Sequence, residues 1–97
     1  MQYDFEWDPT KAHQNIRKHK ISFQRATAIF LDPHMISVYD EEHSDHEERW
    51  ATMGRDENEI LLVVSHTFHE VNHDLCMIRI ISARKATRHE RRQYEEG

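Results

Sequence analysis

Residues 61–64, Leu-Leu-Val-Val, run apolar without a break. A strand with one wet face alternates apolar and polar side chains, so four consecutive branched aliphatics in a short segment predict a strand buried on both faces, in the middle of a sheet. The chain that must build that sheet has 97 residues. At this length under about two thirds of the unfolded surface is buried on folding, which leaves room for one domain, expected to span residues 1–97. Charged residues make up 32% of the sequence, but its aromatics and β-branched residues are too clustered for a disordered chain.

The flanking segments supply the remaining elements. Gln2 to Trp7 alternates polar and aromatic residues, predicting a strand with Tyr3, Phe5 and Trp7 on one face. Asp8-Pro9 reads as a helix cap followed by proline at the first helical position, opening a helix to about Lys20 with Ala12 and Ile16 inward. Ser22 caps a second helix over 23–31, which Asp32-Pro33 ends. Strands are predicted over 35–39, 49–55, 60–67 and 75–85, with an acidic loop at 40–47 and polar turns at 56–59 and 69–74. Thr87 and Glu90 form a capping box for a short C-terminal helix. The order β-α-α-β-β-β-β-α predicts an α+β domain with a four- or five-stranded, mainly antiparallel sheet packed against helices.

Composition removes several function classes. Two glycines, Gly54 and Gly97, cannot build a phosphate-cradling loop, so nucleotide-binding loops of that kind are excluded. A single cysteine, Cys76, excludes an internal disulfide and a multi-cysteine metal knot; it reads as a small buried hydrophobe. No apolar run approaches a membrane span and no signal peptide is evident, so a soluble cytoplasmic protein is expected. The net charge of −5 argues against a nucleic-acid partner until it is split. Residues 32–59 hold ten acids against two bases, whereas residues 79–92 hold six bases against one acid. Two surfaces of opposite sign are therefore expected, the basic one able to bind an anion.

Three constellations could carry chemistry. The basic corner from Arg79 to Arg88 is the clearest. Strand alternation sets Arg79, Ile81, Ala83 and Lys85 on one side, and Ile78, Ile80, Ser82 and Arg84 on the other. A mid-strand arginine calls for an anion or a carboxylate, either a phosphate or an internal acid such as Glu48. The second is histidine: His43 and His46 with Glu47, then His66, His69 and His73. These could be metal ligands or polar turns, although neither group has a named zinc spacing; His66, ending an apolar strand, could act as a general base. The third surrounds Trp50, which could stack a nucleobase beside Arg49 or pack against a helix.

Taken together, Phe5-Glu6-Trp7-Asp8-Pro9, Lys11-Ala12, Asn15, Lys18-His19 and Ile21-Ser22-Phe23 resemble the opening of the BrnT family of type II toxins. The resemblance continues through Phe30, Asp32-Pro33, Asp40, His43-Ser44, Glu47-Glu48-Arg49 and Gly54-Arg55. It closes on the run from Ile78 to Arg88, with Glu90-Arg91-Arg92 and Tyr94-Glu95. It covers essentially the whole chain in order, departing at His69 to Leu75, which is longer than the family's turn.

This resemblance implies a RelE-like fold and a ribonuclease toxin that inhibits translation by cutting RNA without metal or other cofactor. The implied partner is a BrnA-like ribbon-helix-helix antitoxin, in a heterotetramer of two toxins around an antitoxin dimer, with operator DNA reached only through the antitoxin. The implied reaction is attack of a ribose 2′-OH on the adjacent phosphate. It requires a proton acceptor, cations around the phosphorus and a donor for the leaving oxygen. Arg55, Arg79 and Arg84 are the expected phosphate ligands; His66, Glu48 and Tyr94 are candidates for base and acid. Lys85, Arg88, Arg91 and Trp50 would hold RNA. Two competing functions are a non-catalytic, degenerate module that only docks an antitoxin, and a metal-dependent hydrolase built on the histidines.

Overall fold

The structure, a computed structural model, describes residues 1–97. Five strands form one mixed sheet: β1 (Gln2–Glu6), β2 (Ile36–Tyr39), β3 (Arg49–Arg55), β4 (Leu61–Asn72) and β5 (Leu75–Lys85). Their spatial order is β1-β5-β4-β3-β2. Strands β2 to β5 pair antiparallel in sequence order, and β1 joins β5 in parallel at the edge. The apolar run of residues 61–64 lies on β4, the middle strand, and all four side chains are buried.

One face of the sheet is covered by α1 (Pro9–His19), α2 (Phe23–Thr27) and a 3₁₀ turn, Ala28–Leu31. Here Ile21, Phe23, Ala26, Ile29 and Phe30 meet Leu62, Val64, Ile78, Ile80 and Ala83, with Tyr3, Phe5 and Trp7 against them. The opposite face has a smaller cluster, Met53, Leu61 and Val63, under Tyr94 of the C-terminal helix α3 (Arg88–Glu96). The continuous apolar run therefore serves two unequal cores.

Local signals set most boundaries. Asp8 accepts from the Thr10 N–H at 2.8 Å, and Ser22 from the Arg25 N–H at 3.1 Å. Thr87 and Glu90 cap one another through side chain and backbone, as their spacing predicts. Three expectations change. The helix expected over 23–31 tightens after Thr27 into the 3₁₀ turn, whose three-residue period keeps Phe23, Ala26 and Ile29 in one buried line. Gly54 lets that turn approach, because a Cβ there would sit 2.9 Å from the Ile29 Cβ and carbonyl oxygen. In α1 Ile16 is 45% exposed, and Asn15, 5% exposed, takes the inward position. The turn expected over 69–74 is strand for most of its length: β4 runs to Asn72, and β5 restarts at Leu75. The segment expected to depart from the resembled pattern is thus the end of a hairpin, whose Phe68 and Val71 project into solvent.

Candidate functional site

The site is built by an irregularity in β5. Along β4 the partners run Val63↔Arg84, Val64↔Ala83 and Ser65↔Ser82, then jump to His66↔Ile80 and Thr67↔Arg79. Ile81 is the extra residue of a β-bulge, and beyond it the side-chain phase reverses. Ile78, Ile80 and Ala83 consequently all face the helices. Arg79, Ser82 and Arg84 share the other face, which corrects the simple alternation that separates Arg79 from Arg84. Residues directly opposite in a ladder share a face, so Thr67, Ser65 and Val63 join them from β4, and Arg49, Ala51, Met53 and Arg55 from β3. Four arginines, Arg49, Arg55, Arg79 and Arg84, thus lie on one surface of the sheet.

Each of these arginines has a defined setting. The Arg79 guanidinium donates to both carboxylate oxygens of Glu47, which lies in the acidic loop before β3. Arg49 lies across β4 from Arg79, with Thr67 between them. Its Nη2 is 3.6 Å from Glu47, and its Nε is buried with no hydrogen-bond partner. The Arg79 hydrogen bond holds the Glu47 carboxyl below its ordinary value, and burial opposes this only in part. About four residues along β4, roughly 13 Å away, Arg84 makes a two-pronged pair with Glu90 of α3, at 2.7 and 2.9 Å. Glu90 is lowered to about 2, chiefly by the Arg84 side chain, and Arg84 is raised by the same contact.

Arg55 stands at the far end of the face, six residues and about 20 Å of strand from Arg49. Its guanidinium carbon lies 5.1 Å from the Tyr94 ring centroid, and Nη1 donates to the Glu59 carbonyl at 2.8 Å. The Tyr94 hydroxyl donates to Asp32 at 2.6 Å, and the Arg55 and His34 N–H groups reach the same carboxylate at 2.8 Å. Burial pulls Asp32 upward, but these donors outweigh it and leave its carboxyl lowered. Tyr94 is raised, by burial and then by Asp32, so it serves as a hydrogen-bond donor at neutral pH. A depression of about 410 Å³ opens beside Arg55 and Tyr94. Asp32, Asp56, Glu57 and Glu59 line it, which makes it hostile to phosphate and separate from the Arg49–Arg79 end.

The other predicted residues divide clearly. His66 is 3% exposed on the helix-covered face, edge-on to Phe30 at 5.0 Å. Its Nδ1 lies 3.0 Å from the Thr67 carbonyl and its Nε2 2.6 Å from the Thr52 hydroxyl. The carbonyl fixes the proton on Nδ1, so Nε2 accepts from Thr52, and burial lowers the ring's pKa. The sheet separates His66 from the arginines. Trp50 is also on its side, edge-to-face with Tyr39 at 5.3 Å, rather than beside Arg49 and Arg79. Glu48 is exposed, and Glu47, one residue earlier, meets Arg79. Lys85 is exposed at the end of β5 but lies opposite Leu62, in phase with the helix-covered side rather than with Arg79, whereas Arg88 and Arg91 are exposed on α3. His43 pairs with Asp40 at 2.8 Å while His46, His69 and His73 lie exposed on loops and the hairpin. No three His, Cys, Asp or Glu side chains converge to hold a metal ion.

Part of the acidic segment is drawn into contacts across the chain, while Glu41, Glu42, Asp45, Glu48, Glu57 and Glu59 stay exposed. Glu47 pairs with Arg79, Asp32 with Tyr94, and Asp56 with Arg25 at 2.5 Å. Alternation along the sequence already sets Arg49 on one side with Arg55, but gives neither Arg49, Glu47 nor Asn15 a part in the site; nothing in the sequence distinguishes Glu47 from Glu48 as the partner of Arg79.

Residues 7–90 match the model of the ribonuclease toxin BrnT of type II toxin-antitoxin systems. The chain belongs to the BrnT family. A BrnT toxin thus acts on RNA, is a toxin, and has an antitoxin as its partner. The BrnT ribonuclease toxin of Brucella abortus, known from a 1.1 Å crystal structure, superposes with a TM-score of 0.61 at 22% identity. The match covers 91% of this chain and 100% of that one. It establishes the shared BrnT fold, an α+β arrangement of a five-stranded mixed sheet and three helices. No curated protein sequence matches this BrnT chain. No BrnT helix here is long and apolar enough to cross a membrane.

Proposed function

We propose that this chain is a metal-independent endoribonuclease of the RelE-like kind, cutting RNA on the arginine face of its sheet and thereby inhibiting translation in the cytoplasm. A BrnA-like ribbon-helix-helix antitoxin neutralises it, two toxins binding one antitoxin dimer. The observation that carries the reading is the bulge at Ile81, which turns Arg79 and Arg84 onto the surface already holding Arg49.

In the reaction the ribose 2′ oxygen bonds to the adjacent phosphorus while the P–O5′ bond breaks. The products are a 2′,3′-cyclic phosphate and a 5′-hydroxyl. Arg79 and Arg49 flank one position about 10 Å across, set by two strand spacings, and supply positive charge to the developing dianionic phosphorane. Glu47 takes the 2′-OH proton, and the leaving 5′ oxygen takes a proton from water. While Glu47 is paired with Arg79 it is a weak base, but once Arg79 turns to the phosphate its carboxyl loses the contact that lowers it and becomes more basic. Arg84 binds a phosphate further along the strand, and Lys85, Arg88 and Arg91 attract the backbone. His66, fixed across the sheet, is assigned to structure, and Tyr94 and Arg55 to the α3 anchor.

The test is incubation of the purified chain, freed of antitoxin, with RNA in EDTA. Cleavage leaving 2′,3′-cyclic phosphate ends, slowed about 10²-fold or more in Arg79→Ala, supports the proposal. Undegraded RNA with both proteins supports the non-catalytic antitoxin-docking module. Cleavage that EDTA abolishes and zinc or manganese restores overturns the metal-free chemistry. Glu47→Gln should lower the rate without weakening RNA binding.

A further inference from the structure

Asn15 is the only buried residue of α1, and its side-chain amide makes three hydrogen bonds. Its Oδ1 accepts from the Ala83 N–H at 3.0 Å, and its Nδ2 donates to the Ala83 carbonyl at 2.8 Å and to the Ile21 carbonyl at 2.9 Å. Ala83 stands two residues past the bulged Ile81 and immediately before Arg84. On that side of β5 the neighbouring strand has already ended, because β1 pairs only as far as Arg79. Asn15 therefore engages both main-chain groups of one residue as a neighbouring strand would, where no strand is present.

Consecutive residues of a strand point their main-chain groups to opposite edges. Ala83 points to Asn15, so Ser82, Arg84 and Ala86 point to β4, as the Ala86 N–H to Leu61 carbonyl bond of 3.0 Å illustrates. β4 alone fixes this segment from one side only. A slip of one residue would undo the phase change of the bulge and turn Arg84 toward the helices. The Asn15 amide opposes that slip from the other side.

We propose that Asn15 is a positioning residue, which locks the register of β5 beyond the bulge and so keeps Arg84 on the same face as Arg79. The proposal rests on the arginine-face reading above for its effect on activity, but not for its effect on register.

Two measurements on the full chain test it. Backbone amide exchange followed residue by residue should show Asn15→Ala losing protection at Ala83, from the direct bond, and also at Ser82 and Arg84, whose partners lie on β4. Protection unchanged at Ser82 and Arg84 would overturn the proposal. In RNA cleavage, at a temperature where circular dichroism shows each variant folded, Asn15→Ala should lower kcat/KM about tenfold. The same substitution should have less than about a twofold effect in an Arg84→Ala background, yet retain its tenfold effect in Arg79→Ala. An equal loss in all three backgrounds would mark Asn15 as merely structural and overturn the positioning role. If Arg84→Ala is fully active, the phosphate role of Arg84 fails, and amide exchange still decides the register claim. Should Asn15→Ala not fold, Asn15→Asp keeps the acceptor for the Ala83 N–H while removing both donors, and is read in the same two ways.

Discussion

The two faces of the sheet use polar groups in opposite ways. On the helix-covered face they form a closed series: Ser37, Thr52, His66 and the Thr67 carbonyl, linked at 2.7, 2.6 and 3.0 Å. No member needs a charge, and burial keeps the histidine neutral. On the other face Arg79 and Arg84 carry full charges paired with the carboxylates of Glu47 and Glu90. Arg79 and Arg84 remain 42% and 41% exposed within their pairs. An ion pair open to solvent contributes little to stability, so on the function proposed above RNA phosphate would replace its carboxylate at small cost. On that reading one face stays as it is and the other exchanges partners.

Substitutions on the two faces should therefore have unlike effects, and the largest belongs to the closed one. Phe23 is fully buried in the main core; Phe23→Ala should cost about 3–5 kcal/mol, seen in urea melts. A small loss there would mean that the helices do not carry the fold. Next, Arg79→Ala should slow RNA cleavage by about 10²-fold or more, the typical effect of removing one charge-stabilising donor, while its urea midpoint stays close to wild type. A large loss of stability together with activity would erase the distinction between the faces.

The third effect concerns acid. Glu90 is lowered from 4.5 to about 2. A carboxyl lowered by folding contributes stability that is complete above pH 4.5 and is lost as pH falls toward 2. Solvent reaching the half-exposed Arg84 reduces that contribution to about 1 kcal/mol. Glu90→Gln should flatten the stability profile across this window in thermal melts; an unchanged profile would show the pair to be idle. The smallest effect should come from His66→Gln. A histidine lowered by burial makes stability full above pH 6.5 and falling as pH drops below it. The variant should lose that slope yet cleave RNA within about threefold of wild type at neutral pH. A loss comparable with that of Arg79→Ala would mean that His66 takes part in the reaction after all.

Much of the molecule was legible because its signals are local. Caps at Asp8, Ser22 and Thr87 need only a few residues, and the bounds of β3 and β5 follow from composition and alternation alone. The site was less so. Arg79 and Arg84 were visible as candidates, but their common face depends on one unpaired residue, Ile81, whose insertion reflects the fit of two strands rather than any property of isoleucine. Asn15 reads as an ordinary polar helix residue until the end of β1 leaves Ala83 without a partner. Summing charges along the chain showed that the acidic segment is exposed in large part, but not that Glu47 and Asp56 pair across it with Arg79 and Arg25.

By itself the sequence determined the helix caps, the central position of residues 61–64, the absence of a glycine cradle and the family to which the chain belongs. Each is set by residue type within a short window or by the order of such windows. Tertiary structure alone decided which residues share a face, which carboxylate holds which arginine, and that His66 lies on the far side of the sheet from them. Those relations join residues distant in the chain, as Glu47 and Arg79 are at 32 positions apart. They depend on strand register, where a shift of a single residue reverses every side chain.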